Sequence, residues 1–247
     1  MNITFSGTRG LLLGGTCELA LALAVSMIKS SLFPILTYRS NEGLHRIRHA
    51  LPQYEKNYDV GYLNLGDRDS LQALFTHVGS DLDFLVDFAQ GNYESLIAQA
   101  DEAEVYRYCM ENISFRAEIL KTVGRTMLKK RKGRLVFVSS TAAQRPNPGQ
   151  GLYAAGKLAS EALYRTMGLE MGGRGITTVI LRPGYVEAGR GRVYIEEQEG
   201  KVLQTVPIKR AVTQKEIAET ILFLLSDSAA SLNATVITMD GGLTHRK

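Results

Sequence analysis

Tryptophan is absent from this sequence, cysteine occurs only twice and proline only six times. The two cysteines, Cys17 and Cys109, are too few for a disulfide framework and too far apart for a zinc-knuckle spacing. They fit a reducing compartment, and no metal site is expected. No apolar run reaches the roughly 18 residues that a membrane-spanning helix needs, and the longest candidate, 19–28, is too short. The amino end lacks a Lys/Arg-led apolar core with a cleavage site, so a cytoplasmic protein without a membrane anchor is expected. There is no Pro-, Gly- or Ser-rich linker and no repeat of fixed period, so the 247 residues read as a single domain, 1–247. An excess of charge is missing too: 29 Lys and Arg against 25 Asp and Glu leave a net charge of +4. The run Lys129-Lys130-Arg131-Lys132 stands at a helix end before a glycine, which describes a solvated terminus and not a nucleic-acid site.

What is present is an alternation of short apolar runs with longer helical ones. Strands are expected at 11–13, 34–38, 60–63, 84–86, 134–138, 177–181 and 236–239. Helices are expected at 18–30, 42–51, 68–78, 102–115, 117–130, 153–172 and 214–226. Strands apolar along their whole length, separated by helices, indicate a parallel sheet covered on both faces. The fold class is therefore α/β: a Rossmann-like, doubly wound parallel sheet of about seven strands, which binds ligands at the carboxyl ends of its strands.

Two segments at those ends carry chemistry. Gly14-Gly15-Thr16-Cys17-Glu18 follows the first strand and opens a helix, the arrangement that holds phosphate on helix N-terminal amides. Ser6-Gly7-Thr8-Arg9-Gly10 resembles such a turn but precedes the strand. The fifth strand runs into Ser139-Ser140-Thr141, and the next helix opens with Tyr153-Ala154-Ala155-Gly156-Lys157. Tyrosine and lysine four apart share a helix face. An ammonium near a phenol favours the phenolate, and so tunes the tyrosine to exchange a proton with a carbonyl or alcohol oxygen. A serine hydroxyl presented beside it can hydrogen-bond the same oxygen as charge develops there.

These residues resemble the short-chain dehydrogenases/reductases, and among them the 3-oxoacyl-[acyl-carrier-protein] reductases. Ser140 stands 13 residues before Tyr153 and Lys157 four after it, both the family's intervals, whereas Ser139 stands at 14. Glu111-Asn112-Ile113, the proline-glycine turn in LRPGYVEA (181–188), the segment 206–227 and TMDGG (238–242) fall in the family's order along nearly the whole chain. The resemblance implies Tyr153 as general acid, Lys157 as the group that lowers its pKa and holds the nicotinamide ribose, and Ser140 as the polarising hydroxyl. It implies Asn112 as the holder of a relay water; read from the residue alone, Asn112 is a helix-interior asparagine bonding backbone at a kink. Implied cofactor contacts are Gly14, Thr16, Cys17 and Leu19, then Arg39 and Ser40, Asn64 and Leu65, Ala89, Pro183 and Val186, together with Tyr153 and Lys157.

The second strand ends in Thr37-Tyr38-Arg39-Ser40 without a carboxylate. A guanidinium and a hydroxyl there suit a 2′-phosphate, so NADPH is expected over NADH. Arg131 and Arg174 stand where the resemblance implies docking of an acidic acyl carrier protein, and it implies a homotetramer. The stretch 187–205, expected as a substrate lid, is charged and poor in large apolar residues. Three departures touch cofactor handling. The family's Thr-Gly-x-x-x-Gly-x-Gly is here Leu13, Gly14, Glu18 and Ala20, so that Glu18 lies near the phosphates unless it turns outward. Its Asn-Asn-Ala-Gly is Asp87-Phe88-Ala89-Gln90, and Ala188 replaces a threonine. The expected activity is reduction of a ketone, foremost a 3-oxoacyl thioester on acyl carrier protein. The alternatives are another small ketone or a coenzyme A thioester, or a non-catalytic dinucleotide sensor.

Overall fold

The computed structural model describes residues 3–245. Every run of Leu, Ile, Val and Phe singled out above becomes a strand: β1 (Arg9–Leu13), β2 (Phe33–Tyr38), β3 (Asp59–Tyr62), β4 (Phe84–Asp87), β5 (Gly133–Val138), β6 (Ile176–Pro183) and β7 (Thr235–Met239). All neighbours pair in parallel, in the order β3-β2-β1-β4-β5-β6-β7. The order reverses between β1 and β4, and the crevice beyond their carboxyl ends is where a doubly wound sheet takes its ligand.

Helices α1 (Glu18–Lys29), α2 (Asn41–Ala50), α3 (Arg68–Val78), α4 (Glu102–Cys109), α5 (Phe115–Lys130), α6 (Gly151–Met171), α7 (Gly189–Glu197) and α8 (Gln214–Leu225) cover the sheet. Side chains alternate faces along each strand. Val136 and Val138 of β5 therefore join a core with Leu23 and Met27 of α1 and Ile217 and Ile221 of α8. Leu135 and Phe137 join the opposite core with Ile119 and Val123 of α5 and Tyr164 of α6. Helix starts follow their capping residues: Ser40 accepts from the Gly43 amide, Asp67 from Ser70, and Thr213 forms a capping box with Glu216.

Two elements differ from expectation. The break expected near residue 116 is instead a single π-turn, Met110–Ser114, joining α4 to α5 without interruption. A pair of charges in the core lies against it. Arg116, 2% exposed, donates from Nε to Oδ2 of Asp87 at 2.8 Å, and Asp87 is 0% exposed. The same guanidinium donates to the Asn112 carbonyl at 2.6 Å, to Ser160 Oγ at 2.7 Å and to the Ala89 carbonyl. Tyr164 donates to Asp87 Oδ2 at 2.9 Å. The second difference is α7, a helix inside the segment read only as a charged lid; its two glycines hid the helical period.

Removing one partner of a buried pair strands the other in a medium that cannot solvate it. We expect Arg116→Leu to lower stability by about 3–5 kcal/mol, and the double variant Asp87→Leu/Arg116→Leu to recover most of that loss. Urea unfolding of the parent, single and double variants reads both numbers.

Candidate active site

The carboxyl end of β1 closes on Gly14, whose φ is +72° and whose Cβ, if present, would lie 2.9 Å from the Ala89 backbone nitrogen. Only glycine fits such a left-handed, crowded position. The turn it opens leads into α1, with Cys17 as N-cap accepting from the Ala20 amide at 3.4 Å. A cavity of 1490 Å³ begins at Cys17, Glu18 and Leu19 and extends past Ser140, Tyr153, Lys157, Pro183 and Val186 to the α7 residues. It exceeds the size of an ordinary small-molecule pocket, leaving space for part of a dinucleotide and a second molecule.

β5 delivers Ser139 and Ser140, and they do different work. Ser139 is buried and donates to Glu161 at 2.6 Å, and Glu161 in turn holds Arg182. Ser140 accepts from the Ala142 amide at 3.1 Å and hydrogen-bonds Tyr153. One turn into α6, the Lys157 ammonium lies 5.8 Å from the Tyr153 ring centre and donates to the Val138 carbonyl at 2.8 Å. Ser140, Tyr153 and Lys157 thus meet at one point of the cavity wall.

Their electrostatics depart from the sequence expectation that Lys157 lowers the Tyr153 pKa. Lys157 is pushed down to about 7, first by burial and then by Arg116. It carries only part of its charge at neutral pH. Burial raises the Tyr153 phenol; the groups that oppose this are Arg190, first, and the hydrogen bond with Ser140. Arg190, on α7, places its guanidinium 5.0 Å from the Tyr153 ring centre. The cation nearest in effect therefore comes from the lid, a residue the sequence reading passed over.

The other expected residues divide into groups. Asn112 is fully buried in the π-turn. Its Oδ1 accepts from the Gly91 amide at 2.6 Å, its Nδ2 donates to the Tyr108 carbonyl at 2.9 Å, and its own carbonyl accepts from Arg116. Arg39 is exposed at the end of β2 and has no hydrogen bond or ion pair among the described residues, while Ser40 accepts from the Gly43 amide at 3.1 Å. Asn64 and Leu65 follow β3, and Thr16 belongs to the first turn; with Arg39 they lie on the β2–β3 side of the crevice, outside the cavity wall. Arg131 and Arg174 precede β5 and β6, at the opposite edge of the sheet from the cavity.

Glu18 turns outward. Its carboxylate takes Arg192 at 2.5 Å and the Gln214 amide at 2.7 Å, with the Gly189 amide at 3.4 Å. The phosphate turn is therefore bridged to α7 and α8. Gln90, where the family has glycine, lines the cavity and keeps a buried Oε1 without a partner among the described residues. An open glycine cradle and an unsatisfied buried acceptor fit a bound dinucleotide.

A family model described as enoyl-(acyl carrier protein) reductase matches residues 18–244. The chain belongs to this family of short-chain dehydrogenases/reductases. It is similar to the Haemophilus influenzae 3-oxoacyl-[acyl-carrier-protein] reductase FabG, at 29% identity over 96% of this chain and 98% of that one. Among solved structures, a short chain dehydrogenase/reductase family protein superposes with a TM-score of 0.86 at 25% identity, covering 99% of this chain and all of the other. ElxO with NADP bound superposes at 0.88 and 22% identity over 97% of this chain and all of that one, a likeness of fold. Membership makes the chain an oxidoreductase by class, with its grouped serine, tyrosine and lysine at the carboxyl end of the sheet. No described helix is long and apolar enough to cross a membrane.

The depressed Lys157 pKa fixes a sign. Below about 7 the lysine is protonated folded and unfolded, and burial of its charge costs its full amount. As pH rises toward the ordinary 10.5, the unfolded chain keeps a proton that the folded one has released, so this cost fades. Lys157→Met is expected to be more stable than the parent at pH 7, by a margin that narrows steadily to pH 9.5. Denaturant titrations of the cofactor-free proteins across that range measure the margin.

Proposed function

We propose that this protein reduces a ketone to a secondary alcohol with NADPH, and that its foremost substrate class is a 3-oxoacyl thioester carried on acyl carrier protein. The observation that carries the reading is the meeting of Ser140, Tyr153 and Lys157 in the cavity that begins at the Gly14 turn. NADPH supplies the hydride that becomes the new C–H bond. Tyr153 gives its phenolic proton to the carbonyl oxygen, and Ser140 hydrogen-bonds that oxygen as negative charge builds. Lys157, half-titrated near neutral pH, stands one turn from the tyrosine and can restore its proton. Gly14, Cys17 and Leu19 would hold the pyrophosphate, with Pro183 and Val186 against the nicotinamide and Asn64 and Leu65 beside the adenine. The unpaired Arg39 supports NADPH over NADH, because a fork of N–H donors suits a phosphate that NADH lacks. The NADP carried by ElxO on the same fold agrees with that choice.

The similarity to FabG supports the 3-oxoacyl substrate, whereas the family description names enoyl reduction. The tight Tyr153–Lys157 interval favours the ketone. Arg131 and Arg174 lie roughly 20 Å from the cavity, the length of β5. A carrier docked on them would serve the cavity of a neighbouring subunit more readily than their own. A homotetramer is consistent with Tyr106 and Leu169, 67% and 71% exposed on α4 and α6, and with the half-exposed β7 at the sheet edge. A cytoplasmic location is part of the same reading. Light scattering of the purified protein should return a tetramer mass; a monomer would remove the docking route.

Oxidation of NADPH is to be followed with acetoacetyl and crotonyl thioesters, on acyl carrier protein and on coenzyme A, and with simple ketones. Turnover of acetoacetyl but not crotonyl thioester is expected, with Tyr153→Phe slowed about 100-fold or more while nucleotide binding persists. Reduction of the enoyl thioester alone would reassign the reaction. Nucleotide binding without any turnover would make the protein a sensor.

A further inference from the structure

The substrate end of the cavity holds an arginine whose charge is only loosely matched, by Glu94 at 3.9 Å. Arg68, Arg182 and Arg210 each grip a carboxylate with two nitrogens, at distances between 2.5 and 3.2 Å. Arg190 differs: its Nη1 donates to the neutral Asn92 side chain, and the Glu94 carboxylate stands off at 3.9 Å. Its guanidinium lies over the Tyr153 ring, 5.0 Å from the centre, on the cavity side of the proposed proton donor. Arg145 lines the same cavity and, among the described residues, donates to the Leu243 carbonyl alone, at 3.4 Å. Of the acidic groups on the wall, Glu94 is the loose partner of Arg190, Glu18 is taken by Arg192, and Glu196 and Glu197 lie at the far end of α7, roughly 9 Å along the helix from Arg190. The rest of this wall mixes the polar or aromatic Asn147, Tyr185 and Tyr194 with the apolar Ala142, Val193 and Leu243.

We infer that Arg190 forms a carboxylate subsite, so that beside the thioester of the reading above the cavity takes ketones that bear a free carboxylate a few carbons from the carbonyl. The inference rests on the reductase reading above for which carbonyl is reduced, and on the cavity alone for the anion. A guanidinium fork meets a carboxylate through two parallel N–H donors, which fixes direction as well as affinity. With Tyr153 and Ser140 holding the carbonyl oxygen and Arg190 the carboxylate, such a substrate is gripped at two points. Arg190 is thus a specificity-determining residue on the lid, and Arg145 extends the cationic wall.

The test uses the protein loaded with NADP⁺ and titrated calorimetrically with 3-oxobutanoate, 4-oxopentanoate and 5-oxohexanoate, each beside its methyl ester. At the fitting chain length the acid is expected to bind about tenfold or more tighter than its ester. Arg190→Gln should bring the two within about threefold, and Arg190→Lys, which keeps the charge but loses the fork, should fall between. Equal binding of acid and ester by the parent at all three lengths overturns the subsite. So does a preference that survives in Arg190→Gln; if that variant does not fold, the parent ratio and Arg190→Lys still decide. Turnover with NADPH is read separately. Tight acid binding without turnover sinks the reductase and keeps the subsite, whereas equal turnover and binding of acid and ester keep the reductase and sink the subsite.

Discussion

The buried pair of Asp87 and Arg116 is the constraint on which the site depends. Asp87 ends β4 at the reversal of strand order and accepts from Arg116 and Tyr164, while its other oxygen accepts from the Ala89 amide at 2.9 Å. Arg116 spends its remaining donors on Asn112, Ser160 and Ala89. One ion pair therefore ties together the β4 loop, the π-turn and α6. Ala89 is the backbone against which Gly14 closes, so the pair also sets the floor of the phosphate cradle. Ser160 lies one turn past Lys157 on α6, so the same pair sets the height at which the lysine enters the cavity.

Two charges in a core are costly to desolvate, and an apolar pair of equal volume would serve stability as well or better. What the ions contribute here is electrostatic. Burial comes first in holding Lys157 down to about 7, and Arg116 adds to it against the opposing charge of Asp87, so the lysine is only partly charged at neutral pH where an ordinary one would stay charged. The tuning of Tyr153 then falls to Arg190 and Ser140. The division is physical: a lysine only partly charged at neutral pH is a poor fixed charge, and the cation over the Tyr153 ring is Arg190 on α7.

The sheet was legible because most strands carry a short apolar run, and five of the eight helices open on a residue whose side chain caps them. Ser140, Tyr153 and Lys157 could be placed because their spacing joins one strand end to one helix face. The buried network was only half legible. Asp87 was visible only as a departure from the family's asparagine, and Arg116 fell in the break expected between two helices. Its spacing to Ile119, Leu120 and Val123 puts it on the core-facing side of α5, and that was the available signal. Arg190 carried no such signal. Its role arises from where α7 lies in space, and Gly-Arg-Gly-Arg has no helical or strand period to predict that helix.

Glu18 and Ala188, which looked like separate departures, are joined in the structure. α7 begins after Ala188, a residue without a side-chain acceptor for the first helical amides. Glu18 reaches across from the phosphate turn to that helix end, with Gly189 N–H at 3.4 Å and Arg192 at 2.5 Å. A carboxylate at the positive end of a helix does part of the work of the missing cap. The acid that looked hostile to phosphate thus has its charge met by α7, and its side chain leaves the glycine cradle open. The exchange also couples the two ends of the cavity. The helix that Glu18 anchors carries Arg190 to Tyr153, so the residue in a glycine's place beside the pyrophosphate site helps position the cation beside the proton donor.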